Sequence, residues 1–104
     1  RIYRCVLVLK GHRTITAAPD GRVIVNTSGN PGMAKGGSGD VLAGIIGALL
    51  CQGLEPFLAA SVGVYLHGAA GDVCANGIGE YGMTPSDMIA ALPQVTKKYN
   101  NRVW

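Results

Sequence analysis

At 104 residues the chain is long enough for one domain and no more. Its 48% hydrophobic content, with one Phe and one Trp, calls for a core of Val, Ile, Leu and Ala, and its 16 glycines follow no period, which excludes a collagen-like or disordered chain. The formal charge of +3 comes from nine scattered Lys and Arg against six Asp and Glu, and only Lys97 and Lys98 adjoin, which excludes the basic stripe of a nucleic-acid binder.

The run "CVLVL" at 5–9 is continuous, apolar and rich in β-branched residues. It predicts a strand buried on both faces, as in a parallel sheet. "TITAA" and "RVIVN" flank Pro19-Asp20-Gly21 and predict a hairpin over about 13–26. Proline presets φ for such a turn, and glycine accepts positive φ. Residues 27–37 read as loop.

"GDVLAGIIGALLCQG" follows, with Val41, Leu42, Ile45, Ile46, Leu49 and Leu50 at helical spacing and small residues between them. That pattern predicts a buried helix that packs closely and ends at Gly53. Pro56 opens a second apolar helix. A third begins with Thr84 as N-cap, Pro85 at N1 and Asp87 at N3, a near capping box. Pro93 is expected to break or kink it, and Lys97 and Lys98 suit its C-terminal end.

Strand, hairpin, glycine loop and three helices do not make a complete α/β domain. The chain starts at Arg1 rather than Met and runs almost directly into a strand, which suggests a piece of a longer chain. Cys5, Cys51 and Cys74 are widely spaced and form no CxxC pair. They read as three reduced core thiols in a cytoplasmic protein. No unbroken apolar run reaches the roughly 18 residues of a membrane span, and no signal peptide is recognisable.

The most informative stretch is "NPGMAKGGSGDVLAG" at 30–44. A helix N-terminus has unpaired N–H groups and partial positive charge, and glycines before it let the backbone approach an anion. Gly36, Gly37, Ser38 and Gly39 therefore predict a phosphate-binding nest, with the Ser38 hydroxyl as a further donor. Asp40 would be repelled by that phosphate. It is either a plain helix cap or a general base for a hydroxyl that attacks phosphorus. The Gly-Lys-Ser/Thr of a Walker A loop is missing.

This stretch, with "GVYLHGAAGD" and "EYGMTPSDMIAALP", resembles the ADP/ATP-dependent NAD(P)H-hydrate dehydratases of the ribokinase-like superfamily. The likeness covers residues 5–95. The glycine loop is shared by many ribokinase-like kinases; the two helical motifs are more particular to the dehydratases. The resemblance implies a three-layer α/β/α fold with a mainly parallel sheet, of which residues 1–104 would be the C-terminal portion. It implies repair of hydrated NADH and NADPH, with ADP or ATP and Mg²⁺. Phosphoryl transfer to the hydrate hydroxyl would precede loss of phosphate.

By position, Asp40 resembles the catalytic base that contacts the hydrate, and Gly37, Ser38 and Gly39 resemble the anion hole. Lys10, Gly11, His12, Arg13 and Thr14 match the first nucleotide-binding segment. Asn30, Pro31, Gly32, Met33, Ala34, Lys35 and Gly36, continuing to Gly39, match the second. Lys35 and Ser38 stand where the family commonly has threonine. Lys35 is expected either to tighten nucleotide binding or to face solvent. Glu55 replaces a small cap before Pro56 and predicts a weaker helix start.

The family's domain is more than twice this length, so the N-terminal part of the domain is an expected partner, and a homo-oligomer is implied as well. Two other functions fit the same loop: a ribokinase-like kinase of a vitamin or sugar alcohol, and a non-catalytic nucleotide-binding module. His67 reads first as a buried histidine with a backbone partner. His12 reads equally as a nucleotide contact or a solvent-facing loop residue. Asp72 shares a face with His67 only loosely and is expected to bond a neighbouring helix end. Met33 and Met83 read as packing residues, and Tyr81 and Gly82 as structural.

Overall fold

A computed structural model describes residues 5–10 and 13–103, with side chains through residue 97. Three short strands, β1 (Leu7–Leu9), β2 (Ile15–Ala17) and β3 (Val23–Val25), precede three helices. These are α1 (Ser38–Cys51), α2 (Pro56–Gly77) and α3 (Pro85–Val103), and a 3₁₀ turn at Pro31–Met33 lies within the loop before α1. The sheet order is β1-β2-β3 and both pairs are antiparallel, with Val8 opposite Thr16 and Thr16 opposite Ile24.

The hairpin turn forms as the Pro-Asp-Gly signal predicts: Ala18 N–H donates to Arg22 O at 2.9 Å, and Gly21 has φ +98°. The strand at 5–9 does not lie in a parallel environment. β1 pairs antiparallel to β2, and Leu7 and Leu9 are 51% and 54% exposed. The register puts them on one face with Ile15, Val23 and Val25, all exposed, whereas Thr16 on the other face is buried. The helices cover the Thr16 face only, so the apolar pattern of β1 exceeds what the described residues bury.

α2 lies between α1 and α3. Its eleven buried residues run from Phe57 to Cys74, and the shared core includes Leu49, Leu66, Met83, Met88 and Val95. A Cβ at Gly63 would stand 2.6 Å from Ile46 Cγ1, so only glycine lets α1 and α2 approach this closely. By length and hydropathy α2 could cross a bilayer, but 61% of its apolar window is buried inside the protein, as expected of a central core helix.

The helix ends hold two surprises. Glu55 does not weaken the start of α2: its carboxylate accepts the N–H groups of Phe57 and Leu58 at 3.2 and 3.1 Å, reaching as a longer side chain where a small cap would. Burial is the largest single influence on its pKa and acts upward, but those amides and nearby Arg22 together outweigh it and leave the pKa lowered. Pro93 does not break α3, which runs unbroken to Val103. The carbonyl that loses its partner belongs to Ile89, which is 55% exposed, so water can satisfy it. Lys97 consequently lies inside the helix rather than at its end.

The Thr84–Asp87 box forms as read, with Thr84 N–H and Oγ1 both 2.9 Å from Asp87 Oδ2. All three cysteines are free, but only Cys74 is buried; Cys5 precedes β1 and Cys51 closes α1, both at the surface. Met83 is fully buried, which fits a packing role.

Candidate functional site

The loop before α1 is held from both sides. Asn30 caps the 3₁₀ turn, its Oδ1 accepting Gly32 N–H at 3.0 Å. Asp72 of α2 takes the N–H of Gly29 on Oδ2 at 3.0 Å and Asn30 Nδ2 on Oδ1 at 2.9 Å. As expected, this carboxylate bonds a helix end, that of the 3₁₀ turn within the loop, and both its oxygens are used. On the other side the Lys35 ammonium donates to the carbonyls of Glu80, Tyr81 and Met83. Lys35 therefore neither faces solvent freely nor points its charge at the α1 N-terminus. It ties the loop to the turn before α3, where the Tyr81 side chain is fully exposed.

Gly37 is the N-cap of α1 with φ +93°, a left-handed conformation that side chains resist. Ser38 opens the helix, and its N–H bonds Lys35 O at 3.2 Å. The amides of Gly39 and Asp40 follow in the first turn, where helix geometry supplies no acceptor. Lys10 Nζ stands 2.6 Å from where a Cβ of Gly39 would be. An ammonium, first-turn amides and the Ser38 hydroxyl thus converge, which is the chemistry of a phosphate site.

A cavity of about 780 Å³ opens in front of them. Lys10, Thr14, Asn30, Pro31, Met33, Ala34, Lys35, Ser38 and Gly39 line it, all expected nucleotide residues. Its size suits a nucleotide. Arg13, Gly32, Gly36 and Gly37 do not line it: Arg13 is exposed, and Gly32 is buried against the backbone of Glu80. Gly11 and His12 lie outside the described residues.

Asp40 is on the other side of the turn. It and Gly37 line a separate apolar groove of about 520 Å³, walled by Ile45, Pro85, Ile89 and Leu92. The capping alternative for Asp40 does not hold, because Gly37 is the N-cap and Asp40 comes three residues later. Its side chain is exposed and meets no hydrogen-bond partner among the described residues.

Sequence reasoning under-weighted His67. It lies in the cavity wall, 9% exposed, with Nε2 3.2 Å from Ser38 Oγ. The backbone partner expected from sequence is supplied by Ser38, and the Ser38 hydroxyl is a second contact that the sequence did not show. Burial and the nearby Lys10 charge push the imidazole pKa down, and the backbone of Ser38 opposes them. A histidine and an aspartate inside an otherwise apolar helix were the available signal, since buried polar groups need partners.

Among the described residues no three His, Cys, Asp or Glu side chains cluster.

The arrangement of a glycine loop, a buried helix and an antiparallel hairpin superposes on known structures. The chain superposes with a TM-score of 0.79 and 44% identity on a ribokinase-like superfamily protein from Enterococcus faecalis, over 90% of this chain and 32% of that one. The class is therefore the ribokinase-like fold. The ADP/ATP-dependent NAD(P)H-hydrate dehydratase of Bacillus subtilis, co-crystallized with ATP and Mg²⁺, matches with a TM-score of 0.86 and 38% identity, over 90% of this chain and 34% of its own. In sequence, the bifunctional NAD(P)H-hydrate repair enzyme Nnr of Moorella thermoacetica is 52% identical over 99% of this chain. The ADP-dependent (S)-NAD(P)H-hydrate dehydratase of Neisseria meningitidis is 55% identical over 75% of it. The NAD(P)H-hydrate dehydratase family model matches residues 1–94, and the chain belongs to that family. It spans 19% of the Moorella relative's length and 26% of the Neisseria one's.

Proposed function

We propose that the protein containing this chain dehydrates hydrated NADH and NADPH, using ADP or ATP. The observation that supports the reading is one helical turn that borders two separate cavities. Lys10, Ser38 and Gly39 face a nucleotide-sized cavity, and Asp40 faces the groove behind it.

Asp40 accepts the proton of the hydrate hydroxyl, whose oxygen attacks the terminal phosphorus of the nucleotide. The bond from that phosphorus to the leaving AMP or ADP oxygen breaks. The first-turn amides, the Ser38 hydroxyl and the Lys10 ammonium stabilise the charge on the transferred group. The phosphorylated hydrate then loses phosphate as its C–O bond breaks, and a proton leaves the adjacent ring carbon, restoring the reduced dinucleotide. Mg²⁺, when bound with the nucleotide, would supply charge neutralisation. The remainder of the domain supplies the wall opposite Asp40.

The test is turnover of hydrated NADH by the intact protein with ADP and with ATP, followed by the return of reduced-nicotinamide absorbance. Regain that requires nucleotide and vanishes in Asp40→Asn supports the reading. Phosphorylation of an alcohol substrate without elimination would assign a kinase instead, and nucleotide binding without either reaction would assign a binding module.

A further inference from the structure

We propose that His67 is a positioning residue for the Ser38 hydroxyl, holding it in the rotamer that donates to the transferred phosphoryl group. The proposal rests on the reading of the glycine loop as a phosphoryl site.

Ser38 is 7% exposed and begins α1, while His67 sits midway along α2, so two separate elements bring Oγ and Nε2 to 3.2 Å. A serine hydroxyl has three staggered orientations, and only some aim its proton at a bound anion. If Nε2 accepted the Ser38 proton, the hydroxyl would present lone pairs to phosphate and repel it. If Nε2–H donates to Oγ, the Ser38 proton is free for the phosphoryl oxygen. A bound anion therefore selects the tautomer protonated on Nε2. Burial and the Lys10 charge favour a neutral ring, in which one of the two nitrogens carries the proton.

The segment carrying His67 is braced. Gly68 packs its backbone against Ser28, Ser28 Oγ donates to Tyr65 O at 3.0 Å, and Asp72 binds Gly29 and Asn30. The imidazole is thus fixed to the same loop that builds the cavity. A rigid donor behind a reacting-site hydroxyl acts on rate more than on ground-state affinity.

The experiment is a double-variant cycle on the intact protein, with His67→Leu, His67→Gln, Ser38→Ala and the His67→Leu/Ser38→Ala pair. His67→Leu is expected to lower kcat about tenfold with little change in nucleotide KM. Glutamine keeps an N–H near the Nε2 position, so His67→Gln is expected to recover most of that loss. The double variant is expected to be no slower than Ser38→Ala. Losses that multiply, an unchanged kcat in folded His67→Leu, or no difference between Gln and Leu would overturn the proposal. Should the leucine variant fail to fold, ¹⁵N NMR of the wild-type imidazole decides: protonation on Nε2 in the ADP-bound protein supports the assignment, and protonation on Nδ1 alone defeats it. Ser38→Ala at full wild-type activity would instead sink the phosphoryl-site reading itself.

Discussion

Asp72 Oδ1 on α2 accepts Asn30 Nδ2 at 2.9 Å, across 42 residues of sequence. With the Gly29 amide on its second oxygen, this carboxylate fixes the entrance of the glycine loop to the central core helix. Asp72→Asn turns one acceptor into a donor that faces N–H groups. The expected result is a stability loss of about 1–3 kcal/mol and weaker ADP binding. Thermal unfolding with and without ADP checks both.

Asp40 bears no structural load of this kind. Asp40→Asn is expected to remove hydrate turnover by at least about 100-fold and leave nucleotide affinity nearly unchanged. Stability should fall by no more than about 1 kcal/mol, the favourable interaction of an N-terminal carboxylate with the helix dipole. Isothermal titration with ADP, run beside the turnover assay, separates these effects.

Lys35→Ala leaves three carbonyls without their shared ammonium. Glu80 and Tyr81 are exposed, so water replaces two of those bonds; Met83 is buried. A loss of about 1–2 kcal/mol is expected. Hydrogen exchange should rise together in the glycine loop and in residues 79–84, because one side chain joins them. Exchange that rises in only one of the two would show that Lys35 does not couple them.

Acid stability depends on His67. Its pKa in the folded protein is depressed, mainly by burial, so the unfolded chain binds a proton more readily. The stabilisation is complete above the unfolded pKa of about 6.5 and is lost as pH falls toward the lower folded value. Wild-type Tm should therefore decline from pH 7.5 to 5.5 more than that of His67→Gln. The depressed Asp20 and Glu55 carboxyls titrate in a lower window, with stability lost only on stronger acidification. Parallel Tm curves for wild type and variant would refute the assignment.

Local signals carried most of the backbone. Pro-Asp-Gly fixed the hairpin, and Thr84 with Asp87 fixed the start of α3, because both act within four residues. The glycine loop was legible as a turn into α1 for the same reason, with Gly37 at positive φ as its N-cap. What sequence did not show was long-range pairing: His67 to Ser38, Asp72 to the loop, and Lys35 to the turn before α3. These bonds span 29 to 48 residues and depend on helix rotation, which periodicity describes only coarsely. Pro93 and Glu55 failed for another reason, since solvent exposure and side-chain reach offset the usual costs of those residues.

The turn of α1 that holds Ser38 and Gly39 toward one cavity and Asp40 toward another also sets how such a protein diversifies. Ile45, Ile89 and Leu92 line the groove beside Asp40 and do not line the larger cavity. Under the proposed function, substitutions there would alter the hydroxyl presented to Asp40 and leave the phosphate donor's cavity untouched. Under that reading, the donor half and the acceptor half would vary independently of one another.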